Sequence, residues 1–375
     1  MNVRVLHVIE SLAAGGIETT FGNMLETFRT LAPDDRHDVL AFDGGTLQSK
    51  YAATAHQLTI ACDSATIAEC LARDYDVVHI LFERCAYRIL PMLLARHSTP
   101  VVYGKGYDMG GMYRVNEGLD WTADVTMTAA CDAVTFTTPN LAAGFPVPLG
   151  RTTVLRKAAD IRTFAALPDP DVLTPQRIVC VANLHPRKRL ADLIVALASV
   201  RCSAPDAELR LVGGGDRAER ARLERIAAHA AVADAVSFAG QTSDVVGEIA
   251  QSRIVALPSS CEGVPTALLE AMAAGRPVVS TRVGHVDSII EDGVEGFLVG
   301  VGEMTTLAAR ITRLLLRPDL AGRMGAAGRR RADRHDVRRV AADLLGTLRH
   351  AASARHYNVG ADLQVRPITA TSDAA

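Results

Sequence analysis

This sequence of 375 residues has no long apolar run, little net charge and few aromatic residues. No apolar run approaches the roughly 18 residues of a membrane-spanning helix, so we expect no such helix. The formal net charge of −2 excludes a bulk attraction of the whole protein to nucleic acid or to a membrane. Aromatic residues contribute only 5% against 49% for all apolar residues, which is typical of a globular protein with an aliphatic core.

Sequence signals for disulfides and metal ligands are missing as well. The seven cysteines show no C-x-x-C spacing and most lie in apolar runs, which indicates reduced thiols in a cytoplasmic protein. The histidines are scattered without H-x-x-x-H spacing, so we expect no bound metal. No G-x-S-x-G motif suggests a serine hydrolase.

What the sequence does contain is a regular alternation of short apolar segments with helix-forming segments, which predicts parallel doubly wound sheets. Three prolines between positions 167 and 175 interrupt this alternation and indicate a linker. We therefore predict two Rossmann-like α/β domains, at residues 1–167 and 177–345, joined by a linker at 168–176. The end of a helix and a flexible tail follow at 346–375. Two such domains in succession imply a cleft between them. Because ligands bind at the carboxyl ends of parallel strands, we expect the glycine loops to face that cleft.

The stretch from residue 259 to residue 281 carries two carboxylates, Glu262 and Glu270, eight positions apart. Its pattern predicts strand, loop, helix and strand, with Glu262 in the loop and Glu270 about one turn inside the helix. The free amides at the helix start, in residues 264–267, form a site for an anion. A carboxylate is unfavourable on a helix packed in an Ala- and Leu-rich interior. The presence of two therefore suggests a ligand with hydroxyl groups.

A second predicted strand is followed by a loop with three consecutive cations, Arg187, Lys188 and Arg189. Cations at such a strand end suit a diphosphate, whereas a solvated surface charge run is an equally good interpretation of this loop alone. Three glycines from Gly213 onward follow another strand and allow a close approach of the backbone to a ligand. Gly15 and Gly16 precede the first helix, where a plain turn is the commoner explanation.

Taken in order, these motifs resemble those of the family 4 retaining glycosyltransferases, which have the GT-B fold. The matching stretches cover nearly the whole chain and are H-V-I-E-S-L-A-A-G-G-I-E at the start, V-A-N-L-H-P-R-K-R at 181–189, L-V-G-G-G-D at 211–216 and L-P-S-S-C-E-G-V-P-T-A-L-L-E-A-M-A-A-G at 257–275. The E-x7-E spacing is the specific part of the match. The resemblance implies an N-terminal acceptor-binding domain and a C-terminal domain for the nucleotide sugar, facing a central cleft.

The resemblance also implies roles for single residues. Glu262 would hold hydroxyls of the donor sugar, and Glu270 would hold the ribose diol of the nucleotide. Lys188, together with Arg187, would neutralise the diphosphate leaving group. The further donor-binding residues implied are Gly263, Val264, Pro265, Thr266, Ala267, Asn183, Gly213, Gly214, Gly15 and Gly16.

The implied reaction is transfer of a sugar from a UDP- or GDP-sugar to a hydroxyl group, with retention of configuration and without a metal or other cofactor. The acceptor would be a glycan, a lipid-linked molecule or a small molecule, in polysaccharide and cell-envelope synthesis or in natural-product glycosylation. A sugar-nucleotide epimerase or hydrolase of the same fold, or a catalytically silent partner subunit, are the alternatives. Family members often have a histidine after the fourth N-terminal strand, where this chain offers Lys105 and Asp108 as acceptor-side candidates.

Two arginine-rich segments have competing interpretations. Residues 84–97 are predicted to form a buried crossover helix with arginines at its edges, and peripheral contact with the inner membrane face is the alternative. Residues 329–339 are interpreted as a solvated helix face and not as a nucleic-acid surface.

Overall fold

The computed structural model describes residues 2–13, 16–81, 83–94, 99–105, 121–170 and 175–353, without the side chains of Trp121 and Leu149. These residues form two compact units. Unit 1 takes in the chain up to Ala158 and the helix that starts at Val337, and unit 2 runs from Ala159 to Asp336. The tail from residue 354, positions 171–174 of the predicted linker, Gly15 and Asp108 lie outside the described residues.

Unit 1 contains a parallel seven-stranded sheet. Its strands are β1 (Arg4–Ser11), β2 (Arg36–Asp43), β3 (Gln57–Ile60), β4 (Val77–Ile80), β5 (Val101–Lys105), β6 (Ala133–Phe136) and β7 (Thr152–Val154). They lie in the order β3-β2-β1-β4-β5-β6-β7. Among the described residues before 159, the helices are α1 (Gly16–Leu31), α2 (Gln48–Thr54), α3 (Ser64–Leu71), α4 (Glu83–Leu94), α5 (Trp121–Ala130) and α6 (Pro139–Ala143), with a 3-10 turn at Leu149–Arg151.

The first strand shows why this sheet is covered on both faces. Successive side chains of a strand point to opposite faces, so Val5 and Ile9 join one apolar cluster while Leu6 and Val8 join another. A parallel strand with helices on both sides therefore reads as a continuous apolar run, which is the pattern of residues 3–9.

Unit 2 contains a parallel six-stranded sheet. Its strands are β8 (Arg177–Val181), β9 (Glu208–Val212), β10 (Val236–Gly240), β11 (Ile254–Leu257), β12 (Val278–Thr281) and β13 (Gly296–Val299). They lie in the order β10-β9-β8-β11-β12-β13. The helices are α7 (Arg162–Ala165), α8 (Leu190–Arg201), α9 (Arg217–His229), α10 (Val245–Ala250), α11 (Thr266–Ala273), α12 (Met304–Leu316) and α13 (Pro318–Ala332). Short 3-10 turns occupy Pro186–Lys188, Ala233–Ala235, Val286–Ser288 and Asp333–His335. The two parallel Rossmann-like sheets confirm the predicted α/β class.

The last described helix, α14 (Val337–Ser353), returns to unit 1. Its apolar side, with Val340 and Leu344 fully buried, packs in the same cluster as β1 and α1. An ion pair of 2.9 Å joins Arg349 to the buried carboxylate of Asp35. Unit 2 therefore ends at Asp336, before the predicted bound of 345, because this apolar stripe is buried against the first sheet. The predicted domains of 1–167 and 177–345 also place the first boundary later than Ala158, where unit 1 gives way to unit 2.

Helix α4 covers most of the arginine-rich segment predicted at 84–97, of which residues 95–97 lie outside the described chain. Its apolar side, including Ile89 and Leu90, is fully buried in the core of unit 1. Arg84 pairs with Glu10 at 3.1 Å, and Arg88 lies over the ring of Phe42. These contacts favour the interpretation of a buried crossover helix. No helix within the described ranges is long and apolar enough to cross a membrane.

Three histidines that are far apart in the sequence meet on neighbouring strands of unit 1. His7 of β1 lies with Nδ1 3.0 Å from Nδ1 of His79 on β4, and with Nε2 2.9 Å from Nδ1 of His37 on β2. The ring of Phe28 stacks on His37 at 4.7 Å between centroids. The lack of regular spacing in the sequence therefore gave no sign that these three side chains meet. Even so, no group of His, Cys, Asp and Glu side chains in the described chain is arranged to hold a metal.

The surroundings of this cluster keep its imidazoles neutral. Burial, followed by the other histidines, lowers the pKa of His7 well below its ordinary value. Burial is also the largest cause for the other two, lowering the pKa of His37 to about 4 and that of His79 to about 3. A protonated imidazole at this depth would lack water, and for His37 the nearby charges of Asp35 and Asp38 do not outweigh that cost.

We expect acid to destabilise unit 1 through these histidines. The stability linked to His37 and His79 is complete above the unfolded pKa of 6.5 and is lost as the pH falls toward their folded values of about 4 and 3. Between about pH 7.5 and about pH 5, the free energy of unfolding should fall by about 2 kcal/mol for each of the two. Urea unfolding followed by circular dichroism at several pH values measures this loss.

The variant His79→Gln should lose its share of that pH dependence. As a control, His229→Gln changes an exposed histidine of unit 2 and should keep the wild-type dependence. An unchanged pH dependence in His79→Gln would show that the buried cluster does not carry the effect.

Candidate active site

The candidate site is built at the carboxyl edge of the sheet in unit 2. Strands β8 and β11 are parallel neighbours, so the loops that follow them leave the sheet side by side. The loop after β8 carries the three predicted cations, and the loop after β11 carries Glu262. The topology therefore brings together two motifs that are more than seventy positions apart, which neither motif reveals alone.

The two loops are joined directly. The backbone N–H of Ser260 donates to the carbonyl oxygen of Arg187 at 2.8 Å, and the Ser260 hydroxyl donates to the same oxygen at 3.2 Å. Next to this contact, Nζ of Lys188 lies 2.5 Å from Oε1 of Glu262. Since one partner is 23% and the other 12% exposed, the ion pair lies at the surface of the site and is not sealed inside it.

A buried hydroxyl holds the same carboxylate from the protein side. Oγ of Ser259 donates to Oε1 of Glu262 at 2.6 Å, and Ser259 is fully buried. The hydroxyl of Thr281, the last residue of β12, donates to the carbonyl oxygen of Ser259 at 2.5 Å. Glu262 is thereby connected through Ser259 to the neighbouring strand. Sequence reasoning missed both hydroxyls, although a serine three positions before the carboxylate was a visible signal.

The cation loop is shaped by a 3-10 turn that ends in an unusual conformation. The ring Nδ1 of His185 accepts a hydrogen bond from the N–H of Arg187 at 3.1 Å and caps the turn. Arg189 has φ 49° and thus takes the left-handed conformation between the turn and α8, and it pairs with Asp192 at 2.7 Å. Arg187 is exposed and has no ion-pair partner among the residues that the structure describes. Of the three cations, Arg187 is therefore the most available to an anion.

Helix α11 begins directly behind Glu262. The carbonyl oxygen of Pro265 accepts from the N–H of Leu268 at 3.2 Å, so the amides of Thr266 and Ala267 stand in the first turn, where no acceptor exists within the helix. The turn after β12 supports this loop, because Gly284 has φ +54° and a Cβ there would lie 1.7 Å from the carbonyl oxygen of Glu262. The predicted residues 263–267 thus form a rigid, amide-rich edge beside the ion pair.

Glu270 lies in the middle of α11, with its carboxylate largely buried. Burial, followed by the negative charge of Asp160, raises the pKa of Glu270 from 4.5 to about 7. Within the described ranges its carboxylate has no hydrogen-bond or ion-pair partner. A nearly buried carboxyl group without a partner is costly, and a ligand hydroxyl would supply one.

The glycine loop after β9 packs against the cation loop. Gly213 has φ +147°, and a Cβ there would lie 2.2 Å from the carbonyl oxygen of Ala182. The N–H of Leu184 donates to the carbonyl oxygen of Gly214 at 2.7 Å. These two predicted glycines therefore permit contact between backbones at the strand ends. Asn183, which lies in the same cation loop, is exposed.

The remaining predicted residues belong to unit 1. Gly16 is the first residue of α1, directly after the loop that follows β1. Lys105, expected on the acceptor side, is only 2% exposed, and its ammonium pairs with Asp124 and, at 3.2 Å, with Glu83. The two buried carboxylates already engage the lysine, so its placement does not favour the acceptor-side expectation.

The candidate site lies within a stretch of the chain that is similar to known proteins. Residues 170–331 match the family described as Glycosyl transferases group 1, and these residues include both motif loops. A GDP-mannose-dependent alpha-(1-6)-phosphatidylinositol monomannoside mannosyltransferase of Mycolicibacterium smegmatis is 29% identical over 317 residues, which cover 77% of this chain and 81% of that protein. The protein is a glycosyltransferase.

Two further proteins are similar to this glycosyltransferase, one in part of the sequence and one in the fold of nearly the whole chain. The N-acetyl-alpha-D-glucosaminyl L-malate synthase of Bacillus anthracis is 33% identical over 152 residues, 40% of this chain and 39% of that protein. The crystal structure of Anabaena Alr3699/HepE in complex with UDP superposes with a TM-score of 0.80 at 20% identity, covering 92% of this chain and all of that one. The structural likeness supports the GT-B fold.

We expect the carboxyl group of Glu270 to titrate near pH 7 and to respond to its neighbour. Replacing Asp160 by Asn removes a negative charge and should lower the pKa of Glu270. An NMR titration of side-chain carboxyl carbons, with Glu270→Gln to assign the signal, measures both values.

Asp206→Asn is the control, since it removes an exposed carboxylate before β9 and should leave the pKa of Glu270 unchanged. A wild-type titration at the ordinary value of 4.5 would contradict the described environment of Glu270.

Proposed function

We propose that the glycosyltransferase moves a sugar from a UDP- or GDP-sugar to a hydroxyl group with retention of configuration, as family 4 enzymes do. The observation that carries this proposal is the contact between the cation loop and Glu262, beside the amide-rich start of α11. The names of relatives give further support. The mycobacterial relative is named a GDP-mannose-dependent mannosyltransferase, and Alr3699/HepE was crystallised with UDP.

In this proposal the diphosphate of the donor binds at the cation loop. Arg187 is exposed, Lys188 is partly exposed, and the first amides of α11 add the positive end of a helix dipole. As the bond to the anomeric carbon breaks, negative charge grows on the leaving nucleoside diphosphate. Donors fixed in advance at that position stabilise the charge without reorganising. We propose that these groups suffice without a metal ion or another cofactor.

The two carboxylates bind hydroxyl groups at the two ends of the donor. Glu262 has one oxygen engaged by Lys188 and Ser259, and we assign the other to hydroxyls of the sugar. Glu270 accepts from the ribose diol, which would give its unpartnered carboxylate the hydrogen bonds it lacks. The acceptor hydroxyl attacks from the face that the leaving group vacates, and a departing phosphate oxygen takes its proton.

The acceptor side of the reaction is assigned only by class. We propose a hydroxyl of a glycan, of a lipid-linked molecule or of a small molecule, in envelope and polysaccharide synthesis or in natural-product glycosylation. An epimerase, a hydrolase or a silent partner subunit is less favoured, because Lys188, Glu262 and Glu270 are all present. In addition, Lys188 and Glu262 form an ion pair.

Turnover with a panel of UDP- and GDP-sugars tests the proposed reaction. We expect free nucleoside diphosphate to appear with one donor, and only when a hydroxyl acceptor is added. Release without an acceptor would indicate a hydrolase, and an isomerised donor would indicate an epimerase. Failure of every sugar nucleotide to bind would contradict the proposed function.

Substitution of the two glutamates should separate their roles. Glu262→Ala should lower kcat about a hundredfold, since it removes a contact to the reacting sugar. Glu270→Ala should weaken binding of the nucleoside diphosphate about tenfold, which calorimetric titration measures. Glu224→Ala, on the exposed side of α9, is the control. Wild-type values in both site variants would remove the assignment.

A further inference from the structure

We propose that Ser259 is a positioning residue that fixes the carboxylate of Glu262 for the donor sugar. The inference rests on the proposed function and assigns a role to a residue outside the E-x7-E pair and the cation loop. Its basis is that two donors, one rigid and one flexible, converge on a single oxygen of Glu262.

The geometry divides the two oxygens of this carboxylate between protein and solvent. Oε1 accepts from Lys188 at 2.5 Å and from Ser259 at 2.6 Å. Oε2 has no hydrogen-bond partner in the described part of the chain. The protein therefore engages one oxygen twice and leaves the other to a ligand.

The two donors differ in how firmly they are held. Lys188 reaches Glu262 through a four-carbon stem and is 23% exposed, so on its own it would allow the carboxylate several orientations. Ser259 has a short side chain, is fully buried and lies two residues after the end of β11. The hydroxyl thus supplies the fixed direction that the ammonium lacks.

The backbone of Ser259 is itself fixed by the adjacent strand. Thr281 is 2% exposed and donates its hydroxyl to the carbonyl oxygen of Ser259. Leu257, two positions before Ser259, is paired with Ser280 in the β11–β12 ladder. The position of the Ser259 hydroxyl is therefore set by the sheet, and the sheet reaches Glu262 through it.

Kinetics of Ser259→Ala test the proposal directly. Loss of a hydrogen bond to a charged group should lower kcat about tenfold, while the affinity for the nucleoside diphosphate stays within about twofold, because Glu270 and the cation loop are untouched. Ser259→Thr keeps the hydroxyl and should restore kcat. Ser280→Ala is the matched control, since it removes a buried hydroxyl that donates to the carbonyl of Leu257 on the same pair of strands.

A second measurement tests whether Ser259 acts through Glu262. In a Glu262→Gln background, Ser259→Ala should lower kcat by less than about twofold, because the charge that the hydroxyl orients is already gone. Additive losses would overturn the proposal, as would a loss in Ser259→Ala no larger than in Ser280→Ala or a parallel loss of nucleotide affinity. A wild-type protein that turns over no sugar nucleotide would instead contradict the proposed function.

Discussion

The ion pair between Lys188 and Glu262 is the contact on which the candidate site depends. It lies where the loops after two neighbouring strands meet, and it is accompanied by hydrogen bonds from the N–H and the hydroxyl of Ser260 to the carbonyl oxygen of Arg187. Charged groups that are partly removed from water need a partner of opposite charge, and here the ammonium and the carboxylate are partners of each other. The pairing also holds a cation and a carboxylate at one edge of the sheet before any ligand arrives. Preorganisation of this kind lets binding energy act on the reaction.

Close backbone approaches make that edge compact. The glycine loop after β9 touches the cation loop because Gly213 has no side chain, and the turn at Gly284 touches Glu262 for the same reason. Both residues have positive φ, where a side chain would be strained as well as crowded. The start of α11 is thereby supported from one side, and its free amides are directed into the site. Rigid neighbours of this sort favour a site that binds one shape of ligand.

The parallel α/β class could be predicted from the sequence, and so could the position of Glu262 in the loop before α11. Both follow from local patterns of strands, caps and charges. The sequence was insufficient wherever partners are distant. The neutral cluster around His7 contains histidines from three strands, and the distances between them in the sequence follow no regular pattern. Lys105 looked available because its two carboxylate partners lie elsewhere in the chain. The amphipathic pattern of α14 predicts a buried stripe, but it does not specify which sheet buries it.

In the proposed reaction, a nucleoside diphosphate binds at the start of α11, beside the cation loop. A titration of the deuterated protein with UDP and with GDP, followed by backbone amide NMR, tests it most directly. We expect one of the two nucleotides to cause its largest chemical-shift changes at the amides of Val264, Thr266 and Ala267 and in the loop around Lys188. Saturable shift changes elsewhere, with the signals of all these amides unchanged, would contradict this binding site.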